Sequence, residues 1–77
     1  MRRERTFHAV TNLRFTQEHM MLVVDGKEHR FALKRISPRL ARATMKQRRV
    51  YRIDPYGYGI HWTLVDEDLS IDGLLRT

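Results

Sequence analysis

The Asp25-Gly26 dipeptide constrains this chain more than any other feature, because it separates an apolar run from a second strand-forming segment. The apolar run is Met20 to Val24, and the segment after the dipeptide is Lys27 to Leu33. Asp-Gly is typical of a two-residue hairpin loop, since a type I′ turn needs positive φ at both central positions. The sequence therefore predicts an antiparallel β-hairpin in the first half of the chain.

A two-residue loop also sets the register of this hairpin. The expected cross-strand pairs are Val24 with Lys27, Leu22 with His29, and Met20 with Phe31. One face then carries five apolar side chains and is the predicted core face, formed by Met20, Leu22, Val24, Phe31 and Leu33. A different turn type would shift the register by one residue and move these side chains to the other face.

Three further segments have strand character. Residues 7–15 alternate with period two, which predicts a half-buried first strand. Residues 50–54 and 60–64 predict two more short strands, and the Pro and Gly residues of segment 55–59 predict the turn between them. The only Trp of the chain, Trp62, lies in the last of these strands.

Helix starts are marked by hydroxyl side chains at three places. Ser37-Pro38 places a capping hydroxyl before a Pro at the first helical position, where a missing N–H does no harm. Thr44 and Gln47 have the spacing of a capping box, in which each residue bonds to the backbone of the other. Ser70 is placed to cap a last short helix that extends through Leu75.

Combined, these elements predict an α+β fold with the order β-β-β-α-β-β-α, in which helix packs on one face of a single antiparallel sheet. The chain has 77 residues, which leaves room for one small domain spanning residues 1–77. Its predicted core consists of Leu13, Leu22, Phe31, Tyr51, Ile60 and Trp62. The alternative for Trp62 is an anchor in a partner's pocket, but a lone Trp in so small a domain favours the core.

Composition bears on several classes of protein. There is no Cys, which excludes disulfides, thiolate zinc sites and Cys nucleophiles, and suits a cytoplasmic protein. The longest apolar run is far shorter than the roughly 20 residues that cross a membrane. The His residues never fall at the close spacing of a metal motif, and no nucleophile elbow or phosphate-binding loop is present. We therefore expect a non-enzymatic protein with no cofactor, no bound metal and no membrane association.

The formal net charge of +6 hides a strong asymmetry. Residues 1–52 contain 14 Lys and Arg against four acidic residues, whereas residues 53–77 contain one basic residue against five acidic ones. Such asymmetry often marks an interaction surface. The alternative is an ordinary solvated protein in which opposite charges meet across the fold.

Three groups of residues are therefore candidates for binding a partner. The basic stretch from 39 to 49 has cations at helical spacing that can face a protein or align along phosphates. Two Tyr in a Gly-flanked turn can stack on bases or fill a partner's pocket. The third group is the His before Trp62 together with the acidic cluster 66–68. The complete set is Arg39, Arg42, Lys46, Arg48, Arg49, Tyr56, Tyr58, His61, Asp66, Glu67 and Asp68.

The acidic cluster 66–68, taken together with Asp72, has three interpretations. Acids just before a helix are favoured by its positive N-terminal end, at roughly 0.3–1 kcal/mol each, and this structural role ranks first. A recognition loop for a basic partner ranks second. A site for a hard cation ranks third, because the spacing lacks the alternating ligands and the Gly of a calcium loop.

The second half of the chain resembles the small bacterial family catalogued as domain of unknown function 2442. The matching segments are Ser37-Pro38-Arg39-Leu40 with Ala43-Thr44, Gly57 to Trp62, Asp66 to Ser70, and Gly73-Leu74-Leu75. The first half fits through its Asp-Gly hairpin. The resemblance implies a compact α+β fold, no established enzyme activity, and a gene that often lies beside the gene of a second small protein. Members of the family are interpreted as the antitoxin half of a toxin–antitoxin pair.

These observations predict a small interaction module of a bacterial or phage two-component pair, which binds and masks a partner protein encoded nearby. The main alternative is a basic nucleic-acid-binding or regulatory protein. Self-association is left open, since so small a core favours an additional interface.

Overall fold

The computed structural model describes residues 7–77, which form two antiparallel sheets of three strands each. The first sheet contains β1 (Val10–Phe15), β2 (His19–Val24) and β3 (Lys27–Ala32) in that order. The second sheet contains β4 (Tyr51–Ile53), β5 (Gly59–Trp62) and β6 (Glu67–Ser70), again in chain order. Each sheet is a simple meander, so every strand pairs with its neighbour in sequence.

The predicted hairpin is confirmed in both turn and register. Asp25 has a φ of 53° and Gly26 a φ of 82°, which are the two positive φ values that a type I′ turn needs. Val24 pairs with Lys27, Leu22 with His29, and Met20 with Phe31. Met20, Leu22, Val24 and Leu33 are buried, and Phe31 packs against them while partly exposed.

The first strand departs from strict alternation because it contains a bulge. Its pairing with β2 passes from Thr11–Val23 to Arg14–Met21, which leaves one extra residue on β1. Asn12 lies in this bulge with a φ of 53°. The bulge turns Val10 towards the core together with Leu13 and Phe15, and Thr11 stays exposed. The alternation had predicted a strand that starts at residue 7, but β1 starts at Val10.

Four short helices complete the fold: α1 (Leu33–Ile36), α2 (Pro38–Ala41), α3 (Met45–Arg48) and α4 (Ile71–Leu75). The three predicted caps are all present. The Ser37 hydroxyl accepts a hydrogen bond from the Leu40 N–H at 3.0 Å, and Thr44 and Gln47 form a complete capping box. Ser70 caps α4 by accepting from the Gly73 N–H at 3.0 Å. Helix α1 was not predicted, because its first residue, Leu33, continues the apolar pattern of β3.

The core lies where the inward faces of both sheets meet the helices. Its buried apolar residues are Met20, Leu22, Val24, Leu33, Leu40, Ile60, Trp62, Ile71 and Leu74. The prediction that Trp62 is a core residue is confirmed, and its indole N–H donates to the Arg48 carbonyl at 3.0 Å. Tyr51 was wrongly placed in the core, since it is 36% exposed, although its ring centre lies 6.3 Å from that of the buried Trp62.

The prediction of an α+β fold is confirmed, but the prediction of a single sheet is wrong. The segment from α1 to α3 separates β3 from β4, and the chain then starts a second meander. The element order is β-β-β-α-α-α-β-β-β-α. The additional strand is β6, which pairs Ile60 with Leu69 and Trp62 with Glu67. Within residues 7–77, no helix is long and apolar enough to cross a membrane.

Candidate interaction surface

Arg48 is the one predicted surface cation that the structure places in the interior. It is 3% exposed, and its guanidinium donates to the carbonyls of Leu40 at 3.0 Å, Thr16 at 3.0 Å and Ala41 at 3.2 Å. Its charge also lies 5.8 Å from the centre of the Phe15 ring. Burial lowers the pKa of the Arg48 guanidinium, which still remains charged near neutral pH. The prediction that Arg48 binds a partner at the surface is therefore wrong.

The other predicted cations are exposed, but they do not act alike. Arg39 donates to the Asp66 carbonyl at 2.8 Å and so ties α2 to the turn between β5 and β6. Arg42, Lys46 and Arg49 form no ion pair with any part of the chain that the structure describes. Their charges are therefore available to a partner, whereas Arg39 is already engaged.

The acidic cluster does not lie at the start of a helix, which corrects the interpretation ranked first. Asp66 occupies a turn position with a φ of 52°, and Glu67 and Asp68 lie in β6. Glu67 accepts a hydrogen bond from the Ser37 hydroxyl at 2.5 Å. The acidic residue in the first turn of α4 is instead Asp72. Glu67 therefore connects β6 of the second sheet to Ser37, the residue that caps α2.

The outer face of the second sheet carries a row of three polar side chains. Arg52, His61 and Asp68 are cross-strand neighbours on β4, β5 and β6. The His61 Nδ1 donates to the Asp68 carboxylate at 2.8 Å, so this pair is satisfied within the chain. Arg52 has no ion pair within residues 7–77. An open groove of about 750 Å³ follows this face, lined by Arg52, Asp54, Tyr58, His61, Asp68 and Ser70.

Tyr58 lines this groove and belongs to a group of three exposed aromatic rings, which we call the aromatic trio: Phe7, Tyr56 and Tyr58. Their exposed fractions are 58%, 58% and 46%. The Phe7 ring centre lies 5.4 Å from that of Tyr56 and 6.2 Å from that of Tyr58, and the two Tyr rings are 6.2 Å apart. The two predicted Tyr are therefore brought together, with a third ring that sequence reasoning did not include.

The turn that carries the two Tyr is fixed by backbone hydrogen bonds and by one glycine. The Asp54 carboxylate accepts from the Tyr56 N–H at 2.8 Å and from the Tyr58 N–H at 3.4 Å. Gly57 has a φ of 72°, and a Cβ at this position would lie 1.9 Å from the His8 carbonyl oxygen. Only glycine therefore allows residues 7–9 to lie against this turn.

His8 holds residues 7–9 in place through contacts on both sides of its ring. Its Nδ1 lies 2.7 Å from an Asp25 carboxylate oxygen, and its Nε2 lies 2.8 Å from an Asp72 carboxylate oxygen. Its backbone N–H donates to the Tyr56 carbonyl at 3.1 Å. The Asp25 carboxylate and then the Asp72 carboxylate, as hydrogen-bond acceptors, raise the pKa of His8 above 6.5, and the same bond lowers the pKa of Asp25.

Comparison with known proteins places this chain in a family. Residues 10–77 match the family described as protein of unknown function DUF2442. The chain belongs to this family. No curated protein matches the chain.

A solved structure supports the fold of this DUF2442 member. The crystal structure of a protein of unknown function from Rhodospirillum rubrum has a TM-score of 0.71 and 24% sequence identity to this chain. The match covers 92% of this chain and 88% of the other. The likeness shows that the two-sheet architecture occurs elsewhere. The antitoxin role that the family resemblance implied stays a prediction.

Two residues of the DUF2442 surface escaped prediction, and both lie at the start of the described segment. Phe7 was placed in the predicted first strand, yet it joins the aromatic trio. His8 was placed in the same strand and given no partner, whereas the structure gives it two carboxylate partners. Among residues 7–77, no cluster of three or more His or acidic side chains could hold a metal ion. The separations of 17 and 64 residues from His8 to its partners leave no local sequence signal.

Proposed function

We propose that this protein is a non-enzymatic protein-interaction module of the bacterial cytoplasm, which binds and masks a partner protein as an antitoxin does. The observation that carries the proposal is the aromatic trio beside the groove on the outer face of the second sheet. Scattered surface apolar residues are common, but adjoining aromatic rings that remain exposed mark interaction sites.

The residue types on this surface are those that contribute most to protein–protein affinity. Tyr and Arg are enriched among the residues whose truncation weakens binding most, and the surface presents two Tyr and Arg52, which forms no ion pair within residues 7–77. The Tyr turn is fixed by Asp54 and Gly57 before any partner arrives. Binding would therefore order few additional side chains, which lowers its entropic penalty.

The row of Arg52, His61 and Asp68 supplies the polar part of the proposed interface. Because His61 and Asp68 already satisfy each other, Arg52 is the group in this row that needs a counter-charge. A partner that places a carboxylate at Arg52 and an apolar side chain on the aromatic trio would neutralise the Arg52 charge and cover the exposed rings. A central apolar contact with a polar rim is the usual anatomy of such an interface.

The proposal is tested by co-expressing the chain with the small protein encoded beside its gene and measuring the affinity of the purified pair. We expect a stable complex on size exclusion, and we expect Tyr56→Ala with Tyr58→Ala to weaken binding by about 30-fold or more, as loss of central anchors does. Leu64→Ala is the matched control, because Leu64 is an exposed apolar residue outside this surface. Equal affinities for the Tyr variant and the wild type would refute the proposal.

A second candidate function, nucleic-acid binding, is favoured by a separate observation. The segment from α1 to α3 carries exposed cations without ion pairs in the described chain, namely Lys34, Arg35, Arg42, Lys46 and Arg49. Cations along such a segment can neutralise phosphates. Affinity for a single-stranded oligonucleotide would then fall about 300-fold between 50 and 200 mM salt for about six phosphate contacts. A protein complex that survives this change in salt favours the first function.

A further inference from the structure

The contacts of His8 link the charge of one buried ring to the shape of the aromatic trio. The His8 side chain is 9% exposed, and both of its ring nitrogens face carboxylates. A carboxylate is only an acceptor when ionised, and a neutral imidazole carries only one N–H. Both contacts can therefore be hydrogen bonds only when the ring is protonated.

Loss of the proton leaves one nitrogen lone pair facing a carboxylate oxygen at less than 3 Å. That contact becomes repulsive, and it is relieved when the ring and the half-exposed carboxylate separate, which weakens the hold of that acid on residues 7–9. The groups that face the ring are Asp25 from the β2–β3 turn and Asp72 from α4. Within residues 7–77, no Lys or Arg forms an ion pair with either carboxylate.

The segment that His8 anchors also carries Phe7. The ring of Phe7 contacts Tyr56 and Tyr58, and the His8 N–H is bonded to the Tyr56 carbonyl. The Ala9 N–H donates to the Asp25 carboxylate at 2.8 Å, so the same acid holds both residues that follow Phe7. Release of the ring from either acid therefore loosens the attachment of Phe7 to the trio.

We propose that His8 is a protonation-dependent clasp that assembles the aromatic trio, so that the surface is complete when the ring is charged and opens when it is neutral. The regulatory meaning of the clasp rests on the proposed function, because the trio is the surface assigned there to the partner. The clasp itself is a property of the free protein. Histidine is the side chain whose charge changes near neutral pH, and the geometry directs that change to one edge of the binding surface.

The test follows contacts between Phe7 and the two Tyr rings by proton–proton NMR cross-peaks in the free chain. Spectra are compared at about pH 5 and about pH 9, on either side of the ordinary histidine pKa of about 6.5. We expect the cross-peaks to lose about half of their intensity or more on deprotonation, with a midpoint that matches the titration of the His8 ring protons. The buried Trp62 indole signal reports that the fold stays intact.

Asp72→Asn is the decisive variant. An amide can donate to the unprotonated Nε2 or accept from the protonated one, so both ring contacts survive at either pH. We expect this variant to keep the Phe7 cross-peaks across the whole pH range. Asp68→Asn is the matched control, because it alters the other His–Asp pair and should leave the wild-type transition unchanged.

Two outcomes would overturn the clasp. One is a wild-type protein whose Phe7 contacts are equally strong at both pH values, and the other is an Asp72→Asn variant that loses them as the wild type does. Neither result involves a partner, so failure of the clasp is distinguishable from failure of the proposed function. The latter is judged by the affinity of the Tyr56 and Tyr58 variant alone.

Discussion

Replacement of Arg48 by Met is the most informative test of how this small fold is held together. The substitution keeps a long apolar stem but removes a guanidinium that bonds to three carbonyls and lies near the Phe15 ring. The backbone of Arg48 is unaffected, so its carbonyl can still accept from the Trp62 indole. The change therefore isolates the side-chain contacts of α3 with its neighbours.

The expected loss follows from the fate of each carbonyl. The Leu40 carbonyl keeps a hydrogen bond from the Ala43 N–H, so it loses little. The Thr16 and Ala41 carbonyls lose a charged donor, and each unsatisfied acceptor costs roughly 1–3 kcal/mol. The substitution also removes the desolvation cost of the buried Arg48 charge, which offsets part of this loss, because replacing buried ions by apolar residues of similar volume is often neutral or stabilising. We expect a net loss of about 2–4 kcal/mol.

Thermal unfolding followed by circular dichroism measures this loss. In a domain of this size about 1 kcal/mol shifts the melting temperature by roughly 4–8 °C, so we expect Arg48→Met to melt about 10–25 °C below the wild type. Arg48→Lys should recover part of the difference, because an ammonium can reach one carbonyl but not three in a fork. Arg49→Met is the adjacent exposed control and should change stability by less than about 0.5 kcal/mol. If Arg48→Met melts within about 4 °C of the wild type, the buried guanidinium does not stabilise the helical segment.

Three further predictions concern the core, the aromatic turn and pH. Trp62→Phe should reduce the free energy of unfolding by about 2–3 kcal/mol, because it removes a buried hydrogen bond and part of the indole volume. Urea titration measures this loss, and an unchanged unfolding midpoint would contradict the prediction. Gly57→Ala should lower the melting temperature far more than Gly26→Ala. Both glycines have positive φ, but only a Cβ at position 57 meets the His8 carbonyl. Equal losses would show that the strain of a positive φ alone, and not this clash, sets the loss of stability. The raised pKa of His8 gives stability that is full below the unfolded value of 6.5 and is lost as pH rises through the folded pKa. The lowered pKa of Asp25 gives stability above its unfolded value of 3.8 that is lost as pH falls through the folded pKa. The melting temperatures of wild type and His8→Gln should therefore differ most between pH 3.8 and 6.5, and a constant difference at all pH values would refute the linkage.

The features that sequence reasoning predicted correctly are those determined within a few residues. The Asp25-Gly26 turn needs positive φ at two adjacent positions, and the residue types alone indicate it. The caps at Ser37, Thr44 and Ser70 each bond to a backbone N–H three residues later. Even the burial of Trp62 follows from its place in a short strand beside an apolar neighbour. Local chemistry is sufficient for the turn and the caps, because none of them depends on a distant segment.

The errors have the opposite character, since each involves a partner that is distant in sequence. Strand β6 was missed because residues 66–68 are acidic and disfavoured in strands, yet Glu67 bonds to Ser37, 30 residues away. Arg48 was placed at the surface because isolated Arg is seldom buried, and its carbonyl partners belong to other elements. His8 was overlooked for the same reason. Periodicity and motif spacing contain no information on such pairs.

The fold also changes the meaning of the charge asymmetry along the chain. Three of the late acids are occupied within the molecule, as Glu67 bonds to Ser37, Asp68 to His61 and Asp72 to His8. The exposed cations between α1 and α3 have no such partners in the described chain. In residues 7–77, the late acids are therefore held by contacts within the fold, whereas the cations between α1 and α3 form no ion pair. A partner protein that approaches the aromatic trio should be steered by its own negative charge, so added salt should slow association more than it speeds dissociation. Nucleic acid would lose affinity through both rates, and this contrast separates the two candidate functions.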